Sequence, residues 1–408
     1  MARTHEVLAA PASSHGRVSS LDGLRGVAAA IVLVHHSFLT IPSLAAPYYD
    51  VHIARHGAWW TWLLTSTPLH LVWAGGEAVF LFFILSGFVL TVAGERMMGP
   101  KAWAIYFPRR IVRLFGPVWV AIAVGGIIVW LTHRSPEDHL GPWMDDHPAD
   151  YTLRALAHDS TLFFGTSGTI SPLWSLQWEV WFSLLLPVFL LLAIPARRGW
   201  YAAAAVAGLL ILSTFGEHEL SVLGTVAKFA YFLPMFGIGA VIAIRREQIR
   251  SWYARAERAI IVRISLAVVA LLFYVSKWLL AGITPNQFYA NNSIALQLIG
   301  AALLVVIVMC DPWAQRAFAK KAVGWLGTIS FSLYLVHEPI VIAARYLVLG
   351  HPAVWGFAIG IPASLLFGWL FYWQVERRFH QLSRRIVVGG LKPRVLDGMT
   401  DRMVNASE

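Results

Sequence analysis

Arg25 and His36 stand in one apolar stretch, Ser20–Phe38, SLDGLRGVAAAIVLVHHSF. On an α-helix turning about 100° per residue their spacing returns both to one face, separated by about 16 Å along the axis. A guanidinium holds phosphate through charge-assisted, often bidentate hydrogen bonds. An imidazole, with an ordinary pKa of about 6.5, can take a proton from a hydroxyl. Two more arginines, Arg110 and Arg113, fall in RRIVRLFGP, and one carboxylate, Glu179, interrupts WSLQWEVWF. Together these types suit acyl transfer from a phosphorylated thioester. Arg25, Arg110 and Arg113 would bind the nucleotide of an acyl-coenzyme A whose pantetheine arm reaches inward. His36 would be the general base, and Glu179 would fix its tautomer and stabilise the imidazolium.

Such residues need a scaffold, and composition names its class. With 58% hydrophobic residues, mean hydropathy +0.62, 13% charged residues and 19 Trp, the chain reads as an all-α, polytopic integral membrane protein. Charged side chains are costly in hydrocarbon, so an arginine and histidines on one membrane helix mark a site. The net charge of +10 does not indicate nucleic acid, because the basic residues fall in short clusters between apolar runs, where they set orientation. The single cysteine, Cys310, excludes an internal disulfide framework and a Cys-based zinc site, and no metal is expected.

Spans of the length a bilayer needs, about 20 residues, are expected at Leu24–Thr40, Leu69–Ala93, Pro108–Leu131, Pro172–Ile194, Trp200–Phe215, Gly224–Ile244, Ile260–Ala281, Ser293–Met309, Trp325–Leu349 and Val354–Val375, about ten in all. Leu44-Ala45-Ala46 looks like a peptidase site, but Pro47 follows directly and the first span is expected to stay as an anchor. With the N-terminus inside, every Lys and Arg except Arg55, Arg134, Arg154, Lys228, Lys277 and Arg345 falls in cytoplasmic segments. Both termini are therefore expected in the cytoplasm, flanking the membrane domain 20–380 with a polar segment 1–19 and a basic tail 381–408. On that topology Arg25, Arg110 and Arg113 form a cytoplasmic layer. His36, Glu179 and Glu77 share an outer one, Glu179 about 10 Å below the outer surface.

The stretch LDGLRGVAAAIVLVHHSF resembles the signature of the membrane acyltransferase-3 family, the inner-membrane O-acyltransferases of bacterial surface glycans. Similarity continues through FLFFILSGFVL, the Arg-x-x-Arg of Arg110 and Arg113, PLWSLQWEVWF around Glu179, GTISFSLYLVHEPI around Tyr334 and His337, and VERRF at Glu376. It spans residues 19 to 380 in order. The resemblance implies a ten-helix bundle, acyl-coenzyme A on the cytoplasmic side and an acceptor outside, with His36 catalytic and the Arg-x-x-Arg pair binding donor. Acetyl is the expected acyl group. The acceptor implied is a glycan or lipid-linked saccharide, with membrane lipid and polysaccharide-assembly proteins as surroundings. Three positions depart from the family's pattern: Glu338 before Pro339, Val180-Trp181 after Glu179, and Arg378. The two-domain version of the family, with a soluble esterase-like extension, is not expected.

Each residue also has a plainer reading. The arginines could be cytoplasmic anchors, His36 a histidine satisfied by backbone, and Glu179 a structural partner. Tyr334 and His337 could pack or contact the acceptor, as could Glu77. Ser86-Gly87 reads as a close helix approach rather than a nucleophile, and Glu376 as a surface ion pair with Arg377. From another class, a ten-helix exporter of a glycan or small metabolite would use Arg25, His36 and Glu179 for substrate binding or proton coupling.

Overall fold

The computed structural model describes residues 19–386 apart from 52, 98, 135–138, 219–222, 257–258 and 285. The segment before Ser19 and the tail after Ile386 lie outside the described residues. Those described are helical, without a strand. The helices used below are α1 (Ser19–Leu39), α2 (Pro42–Tyr49), α3 (Gly75–Gly94), α4 (Pro100–Thr132), α5 (Pro142–Asp145), α6 (Leu173–Ala193), α7 (Gly199–His218), α8 (Thr225–Ala256), α9 (Ile260–Tyr274), α10 (Ser276–Ile283), α11 (Ile294–Cys310), α12 (Pro312–Phe318), α13 (Lys321–Leu347), α14 (Val354–Phe371) and α15 (Arg377–Arg384).

Among the described residues, seven helices are long and apolar enough to cross a membrane alone, and the number rises to ten when three bent pairs each count as one span. The pairs are α1 with α2, α9 with α10 and α11 with α12, bent by 105°, 71° and 91°. Pro42 and Pro312 open the second member of two of them. A proline is welcome at a helix start but drives the residue before it into extended backbone, as Ile41 and Asp311 show.

Boundaries differ from expectation at two prolines. The third span begins at Pro100 rather than Pro108, so α4 runs 33 residues with Pro108 and Pro117 inside it. Arg110 therefore lies about 15 Å into the helix. The second span begins at Gly75, because Pro68–Val72 forms a separate 3-10 turn.

At the centre, α1 lies against α13 and α3. A Cβ on Gly26 would fall 2.3 Å from the Gly327 nitrogen, and one on Gly327 would fall 2.4 Å from the Asp22 carbonyl oxygen. Close approach of this kind fixes the depth of α1 relative to α13, hence the height of His36. Gly26→Val should unseat α1 and cost about 1–3 kcal/mol or more, read as a lower melting temperature in detergent. Gly208→Val, at a glycine with open space around it, is the control, and equal melting of the two variants would show that the approach is not required. The seat of α6 is aromatic: Phe236 of α8 stacks between Phe83 of α3 and Phe182 of α6, with centroids 4.7 and 4.6 Å apart.

One end of the bundle carries Arg25 and the other His36. The connections 40–74 and 139–172 fold over the histidine end. The second is held by Asp159, fully buried, which accepts from the Tyr151 hydroxyl at 2.7 Å and from the Ser167 N–H and Oγ–H at 2.6 and 2.7 Å. Burial and that bond push the Tyr151 phenol well above its usual range, so it remains a donor.

Candidate active site

His36, near the last turn of α1, meets His337 of α13: its Nδ1 lies 2.7 Å from His337 Nε2, with the rings stacked at 4.9 Å. Hydrogen-bond roles follow from the surroundings. His337 Nδ1 lies 2.9 Å from the Leu333 carbonyl oxygen and 3.0 Å from that of Tyr334, and a carbonyl can only accept. Nδ1 of His337 therefore carries the proton and its Nε2 accepts. His36 must then donate from Nδ1, which leaves its Nε2 with a free lone pair, the form a general base needs. Trp143 of α5 covers His36 at 5.5 Å and 17° between ring planes.

Glu338 places that tryptophan. Fully buried, it accepts from the Ser171 N–H at 2.5 Å and from the Ser171 hydroxyl, and its Oε1 lies 3.2 Å from His147 Nε2. His147 Nδ1 in turn donates to the Trp143 carbonyl oxygen at 2.7 Å. One carboxylate thus ties both ends of the covering connection to the turn that carries His337.

The expected pairing of Glu179 with His36 is not what forms. Arg110 Nη2 donates to Glu179 Oε1 at 2.5 Å and Arg110 Nε donates to Ser183 Oγ at 3.0 Å, while Ser86 reaches Glu179 Oε1 at 3.4 Å. Because α4 starts at Pro100 rather than Pro108, it carries Arg110 to the level of Glu179. The tautomer-fixing partner of His36 is His337 instead.

At the other end, Arg25, Arg110, Arg384 and Glu376 all lie within electrostatic reach of Arg113. Glu376 is not the surface residue expected. It is 5% exposed, accepts from Ser332 Oγ at 2.6 Å and lies 3.6 Å from His380 Nε2. It closes a π turn, Tyr372–Glu376, whose extra residue rotates the succeeding helix, α15, by about 100°. Arg377 instead sits 4.4 Å over the Trp373 ring. Arg109 takes no part, since its guanidinium caps the end of α15 by donating to the carbonyls of Arg384 and Ile386 at 3.0 and 3.2 Å. Several guanidiniums facing few carboxylates have the chemistry to hold a polyanion.

The side chains of the remaining candidates bond groups other than His36, His337 and the arginines. The Tyr334 hydroxyl bonds Ser175 Oγ at 2.7 Å and the Pro172 carbonyl at 3.2 Å, tying α13 to the start of α6. His35 donates from Nδ1 to the Trp73 carbonyl at 3.0 Å. Glu77 is buried beside Trp278, whose Nε1–H reaches its Oε1 at 3.0 Å. Sequence reasoning alone misses Glu338, Ser171, His147, Trp143 and Glu376 as site residues. The Glu338 departure before Pro339 is the one visible signal for the first four, and VERRF for the last.

The family profile of an acyltransferase domain matches residues 18–373. The chain is 24% identical over 400 residues to the acyltransferase MdmB of Streptomyces mycarofaciens, covering 95% of this chain and 92% of that one. It is 23% identical over 383 residues to the peptidoglycan O-acetyltransferase OatA of Listeria monocytogenes, covering 88% of this chain and 55% of OatA, so it spans about half of that protein's length. The O-acetyltransferase PaAT-1 of Phomopsis amygdali is 24% identical over 378 residues, 79% of this chain and 72% of its own. No solved structure matches the chain.

Proposed function

The chain belongs to the acyltransferase-domain family, and from that premise we propose that it is a multi-pass O-acyltransferase of the inner membrane. It moves an acyl group, acetyl in the first instance, from cytoplasmic acyl-coenzyme A to a hydroxyl of an extracytoplasmic glycan or lipid-linked saccharide. The observation that carries this reading is the His36–His337 pair, a histidine held in the base tautomer, on the same helix face as an arginine of a cationic cluster about 16 Å away. Membership in an acyltransferase family disfavours the exporter reading, which accounts for polar groups in the membrane but not for a tautomer-locked base.

In this mechanism Arg25 and Arg113, with Arg110 held between them and Glu179, bind the donor's phosphates. The extended pantetheine arm covers the distance along α1, about half of a hydrocarbon core of about 30 Å, and brings the thioester to His36. His36 Nε2 removes the acceptor's proton as its oxygen attacks the acyl carbon, and the carbon–sulfur bond breaks to release coenzyme A toward the arginines. His337 accepts from His36 Nδ1 throughout and holds the ring in place while the imidazolium exists. The distribution of Lys and Arg supports a cytoplasmic arginine end with both termini on that side. Similarity to the peptidoglycan O-acetyltransferase of Listeria supports a cell-envelope glycan as the class of acceptor.

Proteoliposomes with radiolabelled acetyl-coenzyme A inside, and glycan isolated from cells lacking the protein outside, test the reading. Label should appear on the outside glycan as an ester while coenzyme A stays within. Flux of an intact solute without covalent label would refute it.

A further inference from the structure

A second line of buried polar groups starts beside His36 and is not used by the mechanism above. His35 and His36 have ring centroids 5.3 Å apart. His35 Nδ1 carries a proton, because it faces the Trp73 carbonyl. The same N–H lies 3.3 Å from the Tyr48 hydroxyl oxygen, which therefore accepts from it and keeps its own proton free for His70 Nε2 at 3.5 Å. His70 Nε2 lies 4.0 Å from Glu77 Oε2. Each donor in this row points away from His36.

The far end of the row is unusual. His70 and Glu77 are 0% and 3% exposed, yet Glu77 Oε2 has no hydrogen-bond partner among the described residues. A buried carboxylate oxygen left so is costly unless it takes up a proton. Lys277 lies within electrostatic reach of both Glu77 and Glu217, with its Nζ 5.8 Å from the centre of the Trp278 ring. Glu217, half-buried near the end of α7, also has an unpartnered Oε2 among the described residues and borders the histidine end. Tyr231 and Tyr274 also lie within electrostatic reach of Glu77.

Resting on the acyl-transfer reading, we propose that His35, Tyr48, His70, Glu77, Lys277 and Glu217 form a proton path from His36 to solvent on the acceptor side. In the reaction the acceptor's O–H bond and the thioester C–S bond break and the ester C–O bond forms. The proton left on His36 Nε2 leaves along the path. The departing coenzyme A is a thiolate, a viable leaving species because free thiols ionise near pH 8.5, and it takes its proton from water on the donor side. Alcohol and thioester still give ester and thiol, but one proton appears outside and one disappears inside.

The full-length protein in the same vesicles, with a pH-sensitive dye outside, tests this directly. About one proton should be released outside for each ester formed, as expected when the general base discharges to that side. Tyr48→Phe keeps the ring packed against His35 and Trp278 but removes the hydroxyl. It should cut proton release per ester several-fold, as should Glu77→Gln. Ester formation without outside acidification in the native protein would overturn the path, since His36 would then return its proton to the thiolate. Unchanged proton yield in both variants would also overturn it. Absence of any ester would instead refute the acyl-transfer reading, so the two failures are distinguishable.

Discussion

His36→Ala should lower acyl transfer by about 10²–10⁴-fold, the range that general-base assistance contributes, while the protein still inserts and binds donor. The hydrogen bond to His337 sharpens this expectation, because the partner acts only through His36. His337→Ala should reduce kcat and alter the dependence of rate on pH, since His36 is then free to adopt either tautomer and its imidazolium loses an acceptor. His337→Gln places an amide oxygen near the site of Nε2, can accept from His36 Nδ1 and should recover part of the loss. A merely structural His337 would lower expression and kcat together and leave the pH profile alone. His35→Ala is expected to be milder in ester formation than His36→Ala, and equal loss at the two positions would sink the assignment of the base.

The range of each interaction decides how far the chain alone reveals it. Arg25 and His36 are legible because polar residues in a membrane helix are few and their face is set by helical period alone. The pairing of His36 is not. His337 is 301 positions away, and close glycine contacts between α1 and α13 help bring the two to one height. Glu179 has a different neighbour from the one expected for a local reason: the helix that Pro108 would open in fact starts at Pro100, which carries Arg110 away from the membrane surface. Glu376 reads as a surface ion pair because it stands beside Arg377 at the end of the last span, whereas a π turn changes the register of the last segment. The coverage of His36 by Trp143 depends on a connection whose course is decided by Glu338, which no periodicity reports.

The donor site offers the other large effect, and its logic is that of a charge held by a partner it must also be free to share. On the proposed function Arg110→Ala should remove a phosphate ligand, and it leaves Glu179 with only Ser86 on its side-chain oxygens among the described residues. Breaking a buried pair from one side costs about 3–5 kcal/mol when exclusion from water is complete. Here the partners' side chains are 17% and 21% exposed, so the stability loss should be smaller. Donor affinity should fall by about 10–150-fold, the equivalent of about 1.5–3 kcal/mol for a hydrogen bond to a charged group. The double variant Arg110→Ala/Glu179→Ala separates the two effects, because it removes the orphaned carboxylate without restoring a phosphate ligand. Its melting temperature should return toward the native value while its KM for acetyl-coenzyme A stays high. Arg110→Lys should recover only part of the affinity, since an ammonium cannot donate to Ser183 and Glu179 in the same planar fork. Glu179→Gln should leave the pH profile of kcat as it is, in contrast to His337→Ala. A double variant that regains native donor affinity would assign Arg110 to the scaffold, and a Glu179→Gln profile displaced like that of His337→Ala would return Glu179 to the histidine.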